Sequence, residues 1–512
     1  MGISRRHFLV SATSAALVLP RARALADDAQ GFSFDTVKSL ARTRSTQPFQ
    51  PPSNDLPAPV RALDYNHFRM INFRSGKAFW RDSGLFQVEL FHRGYQFDRK
   101  VSINLVENGI ATELSYSPDL FDFGPTGLDA PTDPDFGFSG FRLHFPLNRP
   151  EYFDEFAVFQ GASYFRLVGR GQQYGLSARG LTIDTASPQG EEFPIFTNFW
   201  IERPTPTATW VTVYALLDSK STTGAYRFTI LPGTATRARV EVELYPRLDI
   251  HKPGLAPLTS MFLQGKIANR PFADARPEMH DSDGLMAHAG SGEYIWRPLI
   301  DPRVLRVAAF GDTSPKGYGL LQRERDFEDY QDADLRYEDR PSLWVEPEGD
   351  WGKGAVELVE IPTSDEINDN IVAHWVPEAA VKAGQTFAYA YRLTALLDDR
   401  SLLPMGRVMA TRIGPLEVTE ITKVDRAAPQ RIWVDFTDGD LPSMRAALPL
   451  EGIVSASTGK VDEVTCRKIT SGSWRLSFIF TPDGRKESEL RAFLRLHDET
   501  LTETWSFLWA VD

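Results

Sequence analysis

The chain has 512 residues, formal net charge −12, 42% hydrophobic residues and one cysteine. That length allows two domains with sizeable cores, and the acidic balance makes nucleic acid and anionic lipid poor partners. A single thiol, Cys466, excludes an intramolecular disulfide; in a strand-like stretch it reads as a small core filler. The 34 Phe, 11 Trp and 15 Tyr, with 37 Gly and 35 Pro, predict many short strands joined by turns rather than long helices.

The first residues read as an export leader. SRRHFL at 4–9 is close to the twin-arginine pattern; a short apolar run follows, and Ala24–Leu25–Ala26 ends as a cleavage site would. The apolar run is too short to span a bilayer comfortably, so residues 1–26 are expected to be a cleaved signal peptide. The expectation is a periplasmic protein without stable membrane insertion, handled by the twin-arginine export machinery. Cleavage would remove four arginines and no acid, carrying the net charge to −16.

A short helix is expected over 34–43, then a Pro-rich surface leader over 47–60. From Tyr65 the pattern becomes strand after strand at hairpin spacing. The clearest alternation, RARVEVELY at 237–245, places charges on one face as far as Glu243, and 224–233 reads as its hairpin partner. The segment 341–375 combines Trp344, Trp351 and Trp375 with a strand over 355–361 and an acidic, amide-rich turn, SDEINDN. Flat aromatic faces beside carboxylates suit a sugar, whose C–H faces stack on rings and whose hydroxyls bind carboxylates. After a linker at 397–408, short strands at 431–436, 466–469, 473–480, 489–496 and 504–510 predict an immunoglobulin-like sandwich over 409–512. The expected fold class is therefore all-β: a large β-sandwich over 27–396 followed by a smaller one.

Several chemistries fail on spacing. The DxDxDG calcium register in 276–284 would need an acid at Met279 and Glu at Gly290. A zinc pair of His280 and His288 lacks helical spacing and nearby cysteine. There is no GxSxG elbow, no phosphate loop and no GxGxxG, so neither metal nor organic cofactor is indicated. The acidic run Asp326, Asp329, Asp332 and Asp334 reads as a solvated face. Glycosidic bond chemistry needs one carboxylic acid and a second activating group. Asp281, Asp283, Glu346, Glu366 and Asp369 are all candidates, and the residues alone do not rank them.

Several blocks resemble a known family: FHRGYQFDRKV (91–101), FPIFTNFWIERP (193–204), ALLDSKSTTGAYRFTILPG (215–233), APLTSMF (256–262), RPEMHDSDG (276–284), KGYGLLQ (316–322) and DNIV (369–372). They resemble the periplasmic glucan biosynthesis proteins G and D (OpgG/OpgD, or MdoG/MdoD), and the twin-arginine leader leans toward the D branch. The resemblance implies biosynthesis of osmoregulated periplasmic glucans through a β-1,2-glucan substrate that is cleaved with inversion or transferred. It implies Asp369 as general acid, Asp281 as general base and Tyr337 on the proton path, which runs through water and substrate hydroxyls. Arg276, His280 and Asp283 are then expected near the substrate, with Arg276 or His280 helping to keep Asp281 ionised. Trp344, Trp351 and Trp375 are expected to stack glucose units. The alternative is a non-catalytic glucan-binding protein that guides backbone branching or release.

Overall fold

The computed structural model describes residues 31–267, 274–416 and 426–511; the expected leader at 1–26 lies outside them. The fold is all-β, and no described helix is long and apolar enough to cross a membrane. The first helix, Phe34–Ser45, runs two residues past the expected end. Ser33 opens it with a capping box to Thr36, and Val37 and Ala41 bury its inner face against the strands behind.

Two large sheets pack face to face. One runs from Gln87–Phe91 through Gly140–Arg149, Tyr152–Gln160 and Pro253–Ser260 to Ile371–Pro377, Lys353–Glu360 and Arg306–Thr313. The other contains the expected hairpin. Thr222–Leu231 pairs antiparallel with Thr236–Pro246, from Thr222 opposite Pro246 to Leu231 opposite Arg237. The charge alternation works as its period demands: Ala238, Val240, Val242 and Leu244 are buried, while Arg237 and Arg239 face solvent. One apolar core joins the sheets, with Phe141, Phe159 and Leu258 from the first meeting Phe228, Val240 and Leu393 from the second.

The three tryptophans expected to stack sugars belong to the interior. Trp375 is fully buried, and Trp344 and Trp351 nearly so. For Trp344 and Trp375 the cause is a set of glycines against their rings. A Cβ at Gly317 would lie 2.3 Å from the Trp344 indole, and one at Gly354 would lie 2.6 Å from that of Trp375. Trp351 donates its indole N–H to the Ala390 carbonyl at 3.2 Å. Trp344 and Trp375 present no face to a ligand, whereas Trp351 lines a cavity with Asp350, Pro377 and Tyr389.

The chain leaves the large sandwich after Phe387–Leu396, makes a turn of 3-10 helix at Arg400–Leu402 and enters a four-stranded sheet at Arg407–Pro415. That sheet runs Arg407–Pro415, Gln430–Thr437, Trp474–Thr481, Lys460–Lys468. Facing it are Glu451–Ala456, Ser488–Leu496 and Thr504–Trp509, in that order. Four strands over three in this order is the constant-type immunoglobulin arrangement. Cys466 sits in one of these strands, half-buried, and burial pushes its thiol up to about 12, so it stays protonated.

The two sandwiches share a sheet, which no strand pattern foretold. Thr504–Trp509 lies parallel to Tyr294–Pro298, with Ile295 opposite Thr504 and Trp296 opposite Trp505. Arg323 rivets the junction: its guanidinium lies 3.5 Å over the Trp296 ring and pairs with Glu503 at 2.6 Å and Asp399 at 3.0 Å, all buried.

Candidate active site

Asp281 and Asp369 are far apart in sequence and are held by one short segment, 260–262. The Asp281 N–H donates to the Met261 carbonyl at 2.8 Å, directly after the two-residue strand Met279–His280. Asp369 ends the loop between Lys353–Glu360 and Ile371–Pro377, and the next residue is the clamp. Asn370 donates its backbone N–H to Ser260 (3.0 Å) and accepts from the Phe262 N–H through Oδ1 (2.8 Å). Its Nδ2 donates to the carbonyls of Phe262 (2.9 Å) and Ile361 (3.0 Å). A buried amide therefore closes the neck of the acid-bearing loop onto the backbone that carries Asp281.

Asp369 keeps contact with solvent, yet the surrounding protein removes enough water to raise its pKa. After that desolvation, Arg166 opposes the shift, Asp281 adds to it, and Arg179 and Arg340 oppose it. A carboxyl that is exposed at the surface yet poorly solvated favours its protonated form. Asp281 is buried and receives the Arg340 guanidinium directly. The two carboxyls thus feel each other, while among the described residues only Asp281 has an ion-pair partner in contact.

Tyr337 completes the cluster. It is buried, its hydroxyl donates to Glu366 Oε2 at 3.0 Å, and Arg340 lies 4.0 Å over its ring. Burial raises its pKa, and the charges of Glu366 and Asp281 add to that, so the phenol keeps its proton. Arg276 is not at Asp281. It pairs with Glu366 (2.8 Å), Asp332 (2.9 Å) and Asp274 (2.8 Å), tying the acid loop to two neighbouring loops. Asp332, expected on a solvated face, is part of that tie.

His280 and Asp283 also depart from expectation. Successive residues of a strand point to opposite faces, so His280 turns away from Asp281. Its Nδ1 bonds Gln322 Oε1 at 2.9 Å and its Nε2 bonds Glu278 Oε2 at 3.1 Å, in a buried pocket. Asp283 accepts the backbone N–H groups of Arg323 and Glu324 there. The partner of Asp281 that sequence proximity missed is Arg340, which opens the RPSLW stretch.

Two aromatic rings that open onto a cavity lie in segments not expected to hold sugar. Tyr164, half-buried, interacts electrostatically with Asp369. Phe193 is 51% exposed, and the buried Arg179 guanidinium lies 4.9 Å from each of these rings, braced by Glu191 at 2.7 Å. Both rings line a cavity that continues past Gln160 and Phe97. Phe193 begins the FPIFTNFW block, so the block was visible in the sequence although the ring's role was not.

The family model described as "Periplasmic glucan biosynthesis protein, MdoG" matches residues 32–509. A "Glucans biosynthesis protein G" of Rhodopseudomonas palustris (strain BisA53) is 46% identical over 482 residues, covering 94% of each chain. Proteins of the same name from Bradyrhizobium diazoefficiens (45% identical, 99% of this chain and 100% of that one) and Ralstonia nicotianae (46%, 95% and 98%) are as similar. These relatives are all named G, so the lean toward the D branch finds no support. On a match over nearly its whole length, the chain belongs to the periplasmic glucan biosynthesis protein family, MdoG.

Proposed function

We propose that the protein works in the periplasm as an inverting glycoside hydrolase or transglycosylase on β-1,2-glucan, with Asp369 as general acid and Asp281 as general base. The observation that carries this reading is the inequality of the two carboxyls. Asp369 is accessible, desolvated and raised in pKa, while Asp281 is buried on the guanidinium of Arg340. The acid whose environment favours its neutral form is the proton donor of such a pair.

Asp369 gives its proton to the glycosidic oxygen as the bond to the anomeric carbon lengthens, and an incoming water or sugar hydroxyl attacks the opposite face. The attacking group's proton leaves toward Asp281. Because Asp281 is shielded by Arg340 and Tyr337, that transfer runs through water or a substrate hydroxyl rather than by direct contact. Tyr337 holds its own proton against Glu366, so it orients this relay rather than acting as the base. Tyr164 and Phe193 offer the ring faces on which glucose units stack. The export machinery expected for the leader remains part of this proposal.

The test is to incubate the purified protein with linear β-1,2-glucan and follow product size and the anomeric form of new reducing ends. Shorter or rearranged glucans with initially inverted anomers are expected. Binding without any change in the glucan would instead favour a module that guides branching or release.

A further inference from the structure

Behind Asp281, on the opposite face of Met279–His280, lies a second cluster of chemical groups that the proposed reaction does not use. Glu278 and His280 are almost fully buried, and Glu324 joins them from the far wall. One donor atom from each of these three lies within 4.8 Å of the others, and Asp283 Oδ1 stands 3.6 Å from His280 Nε2.

The histidine's orientation is fixed by its neighbour. Gln322 donates through Nε2 to the carbonyls of His280 (3.0 Å) and Tyr337 (3.3 Å), so its Oε1 is the atom facing His280 Nδ1. Nδ1 must then carry a proton, and Nε2 faces carboxylate oxygens of Glu278 (3.1 Å) and Asp283 (3.6 Å), to which it donates as an imidazolium or turns a lone pair as a neutral ring. A neutral ring sets acceptors against acceptors in a buried site, and either a second proton on the imidazole or a metal ion supplies the positive charge that this needs. An imidazole whose far N–H is held by an amide or carbonyl is also the arrangement found at histidine metal ligands.

The charges leave room for one. Among the described residues, Glu278, Glu324 and Asp329 meet one lysine, with Lys266 Nζ 2.6 Å from Glu324, 2.9 Å from Asp329 and 3.3 Å from Glu278, while Arg325 acts electrostatically on Asp283. Arg323, on the same wall, is already paired with Glu503 and Asp399. Glu278 Oε1, the oxygen 3.3 Å from Lys266 Nζ, and Glu324 Oε2 are shut off from solvent, and among the described residues neither accepts a well-directed hydrogen bond. The Lys266 side chain is 44% exposed, so its ammonium can withdraw toward Asp329.

We propose that Glu278, His280 Nε2 and Glu324 bind one divalent transition cation of the zinc or manganese class, with Asp283 as an additional or outer ligand. One imidazole among carboxylates suits these ions better than calcium or magnesium, which prefer oxygen alone. The ion would tie the segment carrying Asp281 to the wall formed by Glu324 and by Arg407–Pro415 of the second sandwich, both of which line this pocket. Glu278 and His280 then act as positioning residues for Asp281.

The test dialyses the full mature protein against a chelator and titrates it at neutral pH with Zn2+ and Mn2+, with Ca2+ and Mg2+ as controls. Heat of binding and thermal midpoint are read for wild type, Glu324→Gln and Lys266→Gln. Expected is one ion per chain with a raised midpoint in wild type, affinity weakened by about tenfold or more in Glu324→Gln, and tightened binding in Lys266→Gln, where the competing ammonium is gone. Saturable binding that Glu324→Gln leaves intact would overturn the assignment. So would an absence of binding in both wild type and Lys266→Gln, the result expected if the two glutamates share a proton. Lys266→Gln keeps the proposal testable even if Glu324→Gln fails to fold.

Discussion

Asn370→Ala isolates the clamp from the chemistry, since Asn370 is given no role with the substrate. The amide is 2% exposed and makes three side-chain hydrogen bonds, to the Phe262 N–H, the Phe262 carbonyl and the Ile361 carbonyl. A typical bond contributes about 1 kcal/mol net, and each buried partner left unsatisfied costs about 1–3 kcal/mol. The loss should therefore be about 3–5 kcal/mol, allowing for water entering at the loop's mouth. The same change frees Asp369, and a misplacement of about 1 Å costs on the order of 100-fold in rate. Denaturant midpoints measure the first effect, and kcat on linear β-1,2-glucan measures the second. A variant within about 1 kcal/mol of wild type and with unchanged kcat would refute the claim that this amide holds the acid in place.

Three further outcomes are expected. Arg340→Gln leaves the buried Asp281 without its counter-charge, so stability should fall by about 3 kcal/mol at neutral pH, and turnover should fall with it; retention of both would remove Arg340 from the site. Arg166→Gln removes a positive charge that holds the Asp369 pKa down, so that pKa rises and the acid stays protonated to higher pH. The basic limb of the kcat profile should move upward; a downward or absent move would contradict the assignment of that limb to Asp369. Arg323→Met strands the buried Asp399 and Glu503 at the junction of the sandwiches, a loss of about 3–5 kcal/mol. Calorimetry should show the second sandwich unfolding earlier, whereas an unchanged transition would mean the shared sheet alone carries the junction.

Strands whose side chains alternate between charge and hydrocarbon were legible in the sequence. The 222–246 hairpin and five strands of the second sandwich follow from period-two patterning and turn residues, whereas Arg407–Pro415, which begins inside the expected linker, and Glu451–Ala456 were not foreseen. The parallel contact of Thr504–Trp509 with Tyr294–Pro298 was not legible, because a strand pattern does not encode its partner. Trp344 and Trp375 were misread for a related reason. An indole near carboxylates in sequence says nothing about which face it takes, whereas glycines such as Gly317 and Gly354 mark where a flat ring is packed. Sequence proximity made His280 a helper of Asp281, although adjacent strand positions point apart. The true partner, Arg340, comes from a different loop. Ranking the acids required the family resemblance, since Met261, Asp281, Tyr337 and Asp369 converge only through tertiary hydrogen bonds.

The account rests on Asp369 as the proton donor, and Asp369→Asn tests it most directly because the amide keeps the shape and loses the acid. Wild type and variant would be incubated with linear β-1,2-glucan, with products followed by size and glucan binding measured in parallel. The account predicts new products from wild type alone and undiminished binding by the variant. Equal product formation by both proteins would contradict it.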